Sequence, residues 1–208
     1  MGSNYLTQMP MPRTLIIVPR MYSKNEFKEE ASTVPEDYDA KSEEFWSYVA
    51  EKLSVFRGRI RKIFRESSSA NTKEDLRGLS EDEPGGHSLL MSLLAEGAEL
   101  EPTEDPILIA ETESWMAMMR ESQNEVISEL CGHALAERNR YIVNRIDQSL
   151  REGEVGVLLI DSRRRLELPR DVRVIRVCPF DPADYLTSTI VKAKLSSASG
   201  TQLDEKVN

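Results

Sequence analysis

The sequence is poor in the residues that build metal sites and disulfide frameworks. It contains only two cysteines, Cys131 and Cys178, and two histidines, His87 and His133. None of them has the spacing of a zinc knuckle, a metalloprotease helix or a paired-cysteine scaffold. We therefore expect no metal site and a reducing, cytoplasmic location, and no cofactor can be named from the sequence.

Long apolar runs and a surplus of basic residues are also absent. No apolar run approaches the roughly 18 to 20 residues that a membrane-spanning helix needs. The N-terminus has neither the basic start nor the apolar core of a secretion signal. The formal net charge is -9, so a broad basic face for nucleic acid is not expected. These features predict a protein with no membrane span and no strong nucleic-acid signal.

Three short apolar segments predict β-strands. Residues 15–18 lie between Pro12 and Pro19, and their length favours a strand over a helix. Residues 155–160 read VGVLLI, which is typical of a strand that is covered on both faces. Residues 172–177 read VRVIRV, and the two arginines indicate a strand at the edge of a sheet.

Apolar residues at steps of three and four predict helices elsewhere, the longest over residues 36–65. Asp-Pro pairs at 105–106 and 181–182 are typical helix starts, and Gly97 and Gly153 are typical helix ends. The other predicted helices cover residues 88–96, 105–121, 124–151 and 181–190.

Together these elements predict a single α/β domain over residues 13–190. Helix should dominate, and the helices should pack on a small parallel or mixed sheet. Residues 67–86 are rich in serine, glycine and acids, which predicts a mobile loop. Residues 1–12 and 191–208 are expected to be flexible termini.

The candidate ligand-binding residues follow the first strand and the buried strand. In open α/β sheets, ligands bind beyond the carboxyl ends of the strands. Consecutive arginines at such an edge can bind a phosphate or carboxylate through forked hydrogen bonds, although a charged run is also typical of a solvated turn. The candidates at these strand ends are Arg20, Tyr22, Asp161, Ser162, Arg163 and Arg164.

Arg138 is a further candidate, because it lies in a predicted helix on the same side as Arg145. Two arginines at the margin of an apolar face either extend to solvent or pair with acids, and a binding site for an anion is the alternative.

The segment 137–160 also suggests a family. An ERN sequence at 137–139 lies in a predicted helix that ends near Gly153 and leads into VGVLLI. This arrangement resembles the C-terminal part of the TraB/PrgY/GumN-like superfamily, over residues 137–177. The superfamily carries Gly-x-x-His motifs after two strands, but here those positions read VPRMY at 18–22 and IDSRR at 160–164. The resemblance thus implies the fold and the location of a pocket, and it does not imply metal-dependent hydrolysis.

Three functions are compatible with these patterns. The first is a non-catalytic or regulatory protein that binds an anionic small molecule or a protein partner at the strand ends. The second is a hydrolase or transferase that combines Asp161, Ser162 and Arg20 with an acid such as Glu137. However, no histidine lies at a recognisable spacing from Ser162 to activate it as a nucleophile. The third is a homo-oligomeric interaction protein that associates through its amphipathic helices.

Overall fold

The computed structural model describes residues 11–68, 76, 83–122 and 124–200, with side chains up to residue 195. The helices are α1 (Lys24–Ala31), α2 (Tyr38–Ser54), α3 (Pro84–Ala95), α4 (Pro106–Glu121), α5 (Glu125–Ser149) and α6 (Pro182–Gly200). The strands are β1 (Arg13–Pro19), β2 (Ile60–Arg65), β3 (Glu99–Leu100), β4 (Val155–Ile160) and β5 (Val172–Arg176). The predicted α/β class is confirmed, because helices pack on a small sheet.

The five strands form one parallel sheet in the order β3-β2-β4-β1-β5. The strands β1 and β4 are central, and they pair in register from Thr14 and Val155 to Pro19 and Ile160. Their carboxyl ends therefore finish level with each other. The strand β5 lies at one edge, as its arginines predicted.

Helices and loops cover both faces of the sheet. Ile16 and Val18 of β1 face a core shared with α1, α2, α3 and α6. Leu15 and Ile17 face the opposite core, which α5 and the segment 161–171 complete. Connections towards β3 run over the first face and connections towards β5 run over the second. This is a doubly wound arrangement, in which a crevice opens at the carboxyl ends of the central strands.

The prediction of one helix over residues 36–65 is wrong in its second half. The helix α2 ends at Ser54, and Gly58 adopts a positive φ of 67° before β2 begins. The pairing of β2 with β4 shifts register between Ile60 and Lys62. This β-bulge places Ile60 and Ile63 in the same core, three residues apart, where a regular strand would alternate. The bulge therefore gives a strand the apolar spacing of a helix.

Several other boundaries also differ from prediction. Three strands were predicted and five are present among the described residues, because β3 has only two residues and β2 has the apolar spacing of a helix. The helix α3 begins at Pro84 and not at Ser88, and α6 continues beyond Ile190 to Gly200. Most of the predicted mobile loop, residues 69–75 and 77–82, lies outside the described residues.

The helix starts predicted at the two Asp-Pro pairs are confirmed. The carboxylate of Asp105 accepts a hydrogen bond from the backbone N–H of Ile107, and Asp181 accepts one from Ala183. These acids satisfy amides that have no partner inside the helix. No helix in the part of the chain that the structure describes is long and apolar enough to cross a membrane.

Candidate functional site

A cleft of about 920 Å³ opens at the carboxyl ends of β1 and β4. Its floor is formed by the residues that follow β1, β2 and β4, one wall is α1, and the other wall is formed by α4 and α5. The volume lies within the range of small-molecule sites, roughly 300 to 1,000 Å³. The cleft therefore lies at the crevice that the doubly wound topology creates.

Asp161 is at the centre of the floor. Its carboxylate accepts hydrogen bonds from the Tyr22 hydroxyl at 2.9 Å and from Nη2 of Arg163 at 2.7 Å. Its backbone N–H donates to Oε2 of Glu66 at 2.7 Å. Asp161 thereby links the loops after β1, β2 and β4, which lie far apart in the sequence.

Tyr22 is buried between two guanidinium groups. The guanidinium carbons of Arg20 and Arg163 lie 5.1 and 5.3 Å from the centre of its ring. Such cation–π contacts are worth about 0.5 to 2 kcal/mol each, more where water is excluded. The ring therefore holds both arginines at the floor.

Arg20 is also fixed by the first turn of α1. Its Nη1 and Nη2 donate to the two carboxylate oxygens of Glu26 at 3.0 and 2.5 Å. Glu26 in turn accepts a hydrogen bond from the backbone N–H of Ser23, whose hydroxyl accepts one from the backbone N–H of Glu26. This capping box satisfies two amides of the helix start, and it fixes the carboxylate that holds Arg20.

Arg164 and Arg138 join the floor to the wall formed by α5. Arg164 donates through Nε to Glu66 at 2.8 Å and through Nη1 to Oδ1 of Asn139 at 2.8 Å. Arg138 donates to the carboxylate of Glu104, which is completely buried. The prediction that the helix arginines pair with acids is confirmed, since Arg145 also lies 3.5 Å from Glu101.

These contacts shift the pKa values of the floor. Burial would raise the pKa of Asp161, but hydrogen bonds from Arg163 and Tyr22 outweigh it and hold the pKa below its ordinary value. Asp161 in turn raises the pKa of Arg163. Burial, followed by the charge of Asp161, raises the pKa of Tyr22. At neutral pH the floor therefore consists of a carboxylate, a neutral phenol and guanidinium cations.

Six of the seven predicted site residues line this one cleft. They are Arg20, Tyr22, Arg138, Asp161, Arg163 and Arg164. Ser162 lies elsewhere, in the turn that follows β4. Its hydroxyl donates to Oδ1 of Asp181 at 2.5 Å, beside a separate pocket of about 210 Å³. Glu137 is exposed on α5 and lines none of these cavities. Of the groups proposed for hydrolysis or transfer, Arg20 and Asp161 share the cleft, whereas Ser162 and Glu137 lie outside it.

The carboxylates that hold Arg20, Arg138 and Arg164 were not predicted. Glu66 directly follows β2. Because the sequence predicted a helix over that segment, it did not predict that Glu66 lies at the end of a strand. Glu104 lies 34 residues before its partner Arg138, and no local pattern connects them. The capping box of Ser23 and Glu26 does have a recognisable spacing, and it was the one available signal.

Among the residues that the structure describes, no group of three or more histidine, cysteine or acidic side chains is arranged to hold a metal ion. No family model, no curated protein and no solved structure matches this chain. The evidence for function is therefore the geometry of the cleft and of the surface.

Proposed function

We propose that this chain is a binding protein for a small anionic molecule, which it holds in the cleft at the carboxyl ends of β1 and β4. The role is non-catalytic or regulatory. Support comes from the position of the cleft in the fold, from its volume, and above all from the arginines that its own carboxylates hold in place.

Arg163 is the observation that carries this proposal. Its side chain is 60% exposed, although Asp161 and the ring of Tyr22 fix its position. Its hydrogen bonds to described residues use the backbone N–H, Nε and Nη2. Its Nη1 group therefore remains available to donate to a ligand. An arginine that is ordered before binding loses little conformational entropy when an anion arrives.

The acids at the rim limit the kind of anion. Glu29 and Glu30 of α1 and Glu113 of α4 line the upper part of the cleft. They would repel a ligand with many negative charges, such as a nucleic acid. A small molecule with one anionic end, directed towards Arg163, fits this distribution of charge better.

Native mass spectrometry of the purified chain tests the proposal, together with thermal unfolding in the presence of inorganic phosphate or malonate. We expect a retained small molecule, or a rise in Tm with one of these anions. The variant Arg163→Met should abolish the effect. Arg165→Met is the matched control, because Arg165 is exposed, lies two residues away and lines only the separate small pocket.

Equal binding by the wild type and Arg163→Met would overturn the proposal, as would the absence of both a retained molecule and a Tm shift. Equal losses in both arginine variants would show a general effect of charge, and this outcome also counts against the proposed site.

We also propose kinship with the TraB/PrgY/GumN-like superfamily over residues 137–177, limited to the fold and the location of the pocket. A cytoplasmic location is proposed as well, because Cys131 and Cys178 are both free thiols.

A further inference from the structure

A second surface, independent of the cleft, lies on the helical hairpin of residues 105–137. The hairpin consists of α4 and the first half of α5, which pack against each other after a short connection. The helix α4 has 16 residues, yet only Thr112 is buried. Much of this helix therefore packs against nothing in the part of the chain that the structure describes.

Apolar side chains are concentrated on this hairpin. It carries six of the twelve large apolar side chains that are exposed among the described residues. The exposed fraction reaches 74% for Ile107 and 61% for Val126. The six are Ile107, Met116, Met118, Met119, Val126 and Leu130.

Helical geometry separates two sides of the hairpin. Glu113, Met116 and Arg120 line the cleft. Ile107 and Met118 are eleven residues apart, close to three full turns, and lie on the other side of α4. On α5, Val126 and Leu130 are one turn apart and share a side. We call the surface of Ile107, Met118, Val126 and Leu130 the outer hairpin face.

The hairpin is also strongly acidic. Residues 105–137 contain seven aspartates and glutamates and one arginine, a formal charge of -6 with histidine neutral, out of -9 for the whole chain. The acids are Asp105, Glu111, Glu113, Glu121, Glu125, Glu129 and Glu137. Apart from Asp105, all of them are exposed. Two thirds of the net charge thus lie on the hairpin.

We propose that the outer hairpin face docks a basic amphipathic helix of a partner protein. Exposed apolar residues interspersed with acids, such as Glu111 one turn after Ile107, complement a helix that has apolar residues on one side and Lys or Arg on its flanks. The methionine of this face, Met118, is flexible and polarisable, which suits it to cover such a helix.

The charge argues against two other occupants. A second copy of the chain would bring two hairpins of charge -6 together, and like charges across an interface cost several kcal/mol. An anionic membrane surface would be repelled for the same reason. A cationic partner is the occupant that gains from both the apolar and the charged parts of the face.

Fluorescence anisotropy with a defined probe tests this inference. The probe is a fluorescein-labelled peptide of about 18 residues, built from Leu and Lys at helical spacing. One control peptide has the same composition in an order that breaks the helical period, and another carries Glu in place of Lys. We expect saturable binding of the first peptide only, weaker when salt rises from about 0.05 M to about 0.3 M.

Protein variants locate the binding. The double variant Met118→Lys with Leu130→Lys should weaken peptide binding about ten-fold or more, because it places two positive charges in the outer hairpin face. The matched control is Val191→Lys with Leu195→Lys, which changes two exposed apolar residues on α6 and should stay within about two-fold. A second variant, Glu111→Lys with Glu129→Lys, keeps the four apolar residues of the outer hairpin face. It should also weaken binding, because it replaces acids with bases that repel the cationic peptide. Circular dichroism checks that each variant folds.

The inference is overturned if the wild type does not bind the helical peptide, or if it binds all three peptides alike. It is also overturned if the α6 control loses as much affinity as the hairpin variant. A concentration-dependent dimer that Met118→Lys with Leu130→Lys abolishes would assign the face to a second copy. None of these outcomes bears on anion binding by the cleft, which the Arg163→Met experiment tests separately.

Discussion

The cleft floor and the hairpin of residues 105–137 are both rich in charged side chains. The floor pairs its charges inside the fold, whereas the hairpin exposes most of them to solvent. In the floor, Arg20, Arg138, Arg163 and Arg164 each lie against a carboxylate of the chain itself. On the hairpin, six exposed acids stand with one arginine. Losing one member of a charge pair inside the fold costs stability, whereas losing an exposed charge on the surface costs little. The hairpin acids are thus available for a partner without loss to the fold.

The magnitudes of the two kinds of charge differ accordingly. Removing one member of a buried pair leaves the other charge without compensation, which costs about 3 to 5 kcal/mol. An exposed pair contributes about 0 to 1 kcal/mol. The predictions below test whether the two regions differ by this much.

The largest effect is expected at the pair of Arg138 and Glu104, whose side chains are 7% and 0% exposed. The variant Arg138→Met should lower the free energy of unfolding by about 3 kcal/mol, because Glu104 keeps a buried charge without its nearest cation. Adding Glu104→Gln should restore part of the loss, since the double variant removes both charges. Urea unfolding measures each value.

The matched control is Lys24→Met, which breaks the exposed pair of Lys24 with Asp39. It should cost about 0.5 kcal/mol or less. Comparable losses in Arg138→Met and Lys24→Met would show that the cleft floor gains no more from its ion pairs than the surface does.

A smaller, pH-dependent effect is expected at Asp161. Its pKa in the folded protein lies below the ordinary value of about 3.9. A carboxylate with a lowered pKa stabilises the fold above its ordinary pKa, and this stability is lost as the pH falls through the folded pKa. Asp161→Asn should therefore be less stable at pH 7, and its free energy of unfolding should fall less steeply below about pH 4.

Urea unfolding at a series of pH values from neutral to acidic measures these slopes. Asp39→Asn is the control, because Asp39 is an exposed acid paired with Lys24. If Asp161→Asn and the wild type lose stability in parallel as the pH falls, the hydrogen bonds to Asp161 do not contribute as described.

The smallest effects are expected on the hairpin. Glu121 is the last residue of α4 and Glu125 is the first residue of α5. An acid is unfavourable at the C-terminal end of a helix dipole and favourable at the N-terminal end. Glu121→Gln should raise the free energy of unfolding and Glu125→Gln should lower it, each by about 0.3 to 1 kcal/mol. Changes above about 2 kcal/mol in either variant would mean that the hairpin acids do support the fold.

Much of the fold could be predicted from local patterns in the sequence. The strands β1, β4 and β5 are compact apolar runs, and the starts of α4 and α6 follow Asp-Pro pairs whose aspartates cap the helices. The strand β2 was hidden by the bulge between Ile60 and Lys62, which changes its apolar spacing from two to three. A spacing of three is also the spacing of a helix, so no local rule distinguishes the two.

The candidate site could be predicted only in part, because local patterns do not show which distant residues form pairs. Because ligands of open α/β sheets bind at the carboxyl ends of strands, the sequence predicted that residues from the loops after β1 and β4 share one site. The partners of the arginines depend on contacts between distant segments, such as Arg164 with Glu66, 98 residues apart. Sequence patterns of a single chain report local spacing, and they do not report such pairs.

The opposite directions of two side chains that follow β4 also help to align that strand. Asp161 points into the cleft, and Ser162 points to the other side, where it donates to Asp181. If β4 slid by one residue so that Asp161 took the place of Ser162, Ile160 would take the place of Asp161 in the cleft. The Tyr22 hydroxyl would then lose its charged acceptor, and the carboxylate of Asp161 would face that of Asp181. Repulsion between these acids selects against the slipped pairing, so polar residues at its end help to align an otherwise uniformly apolar strand.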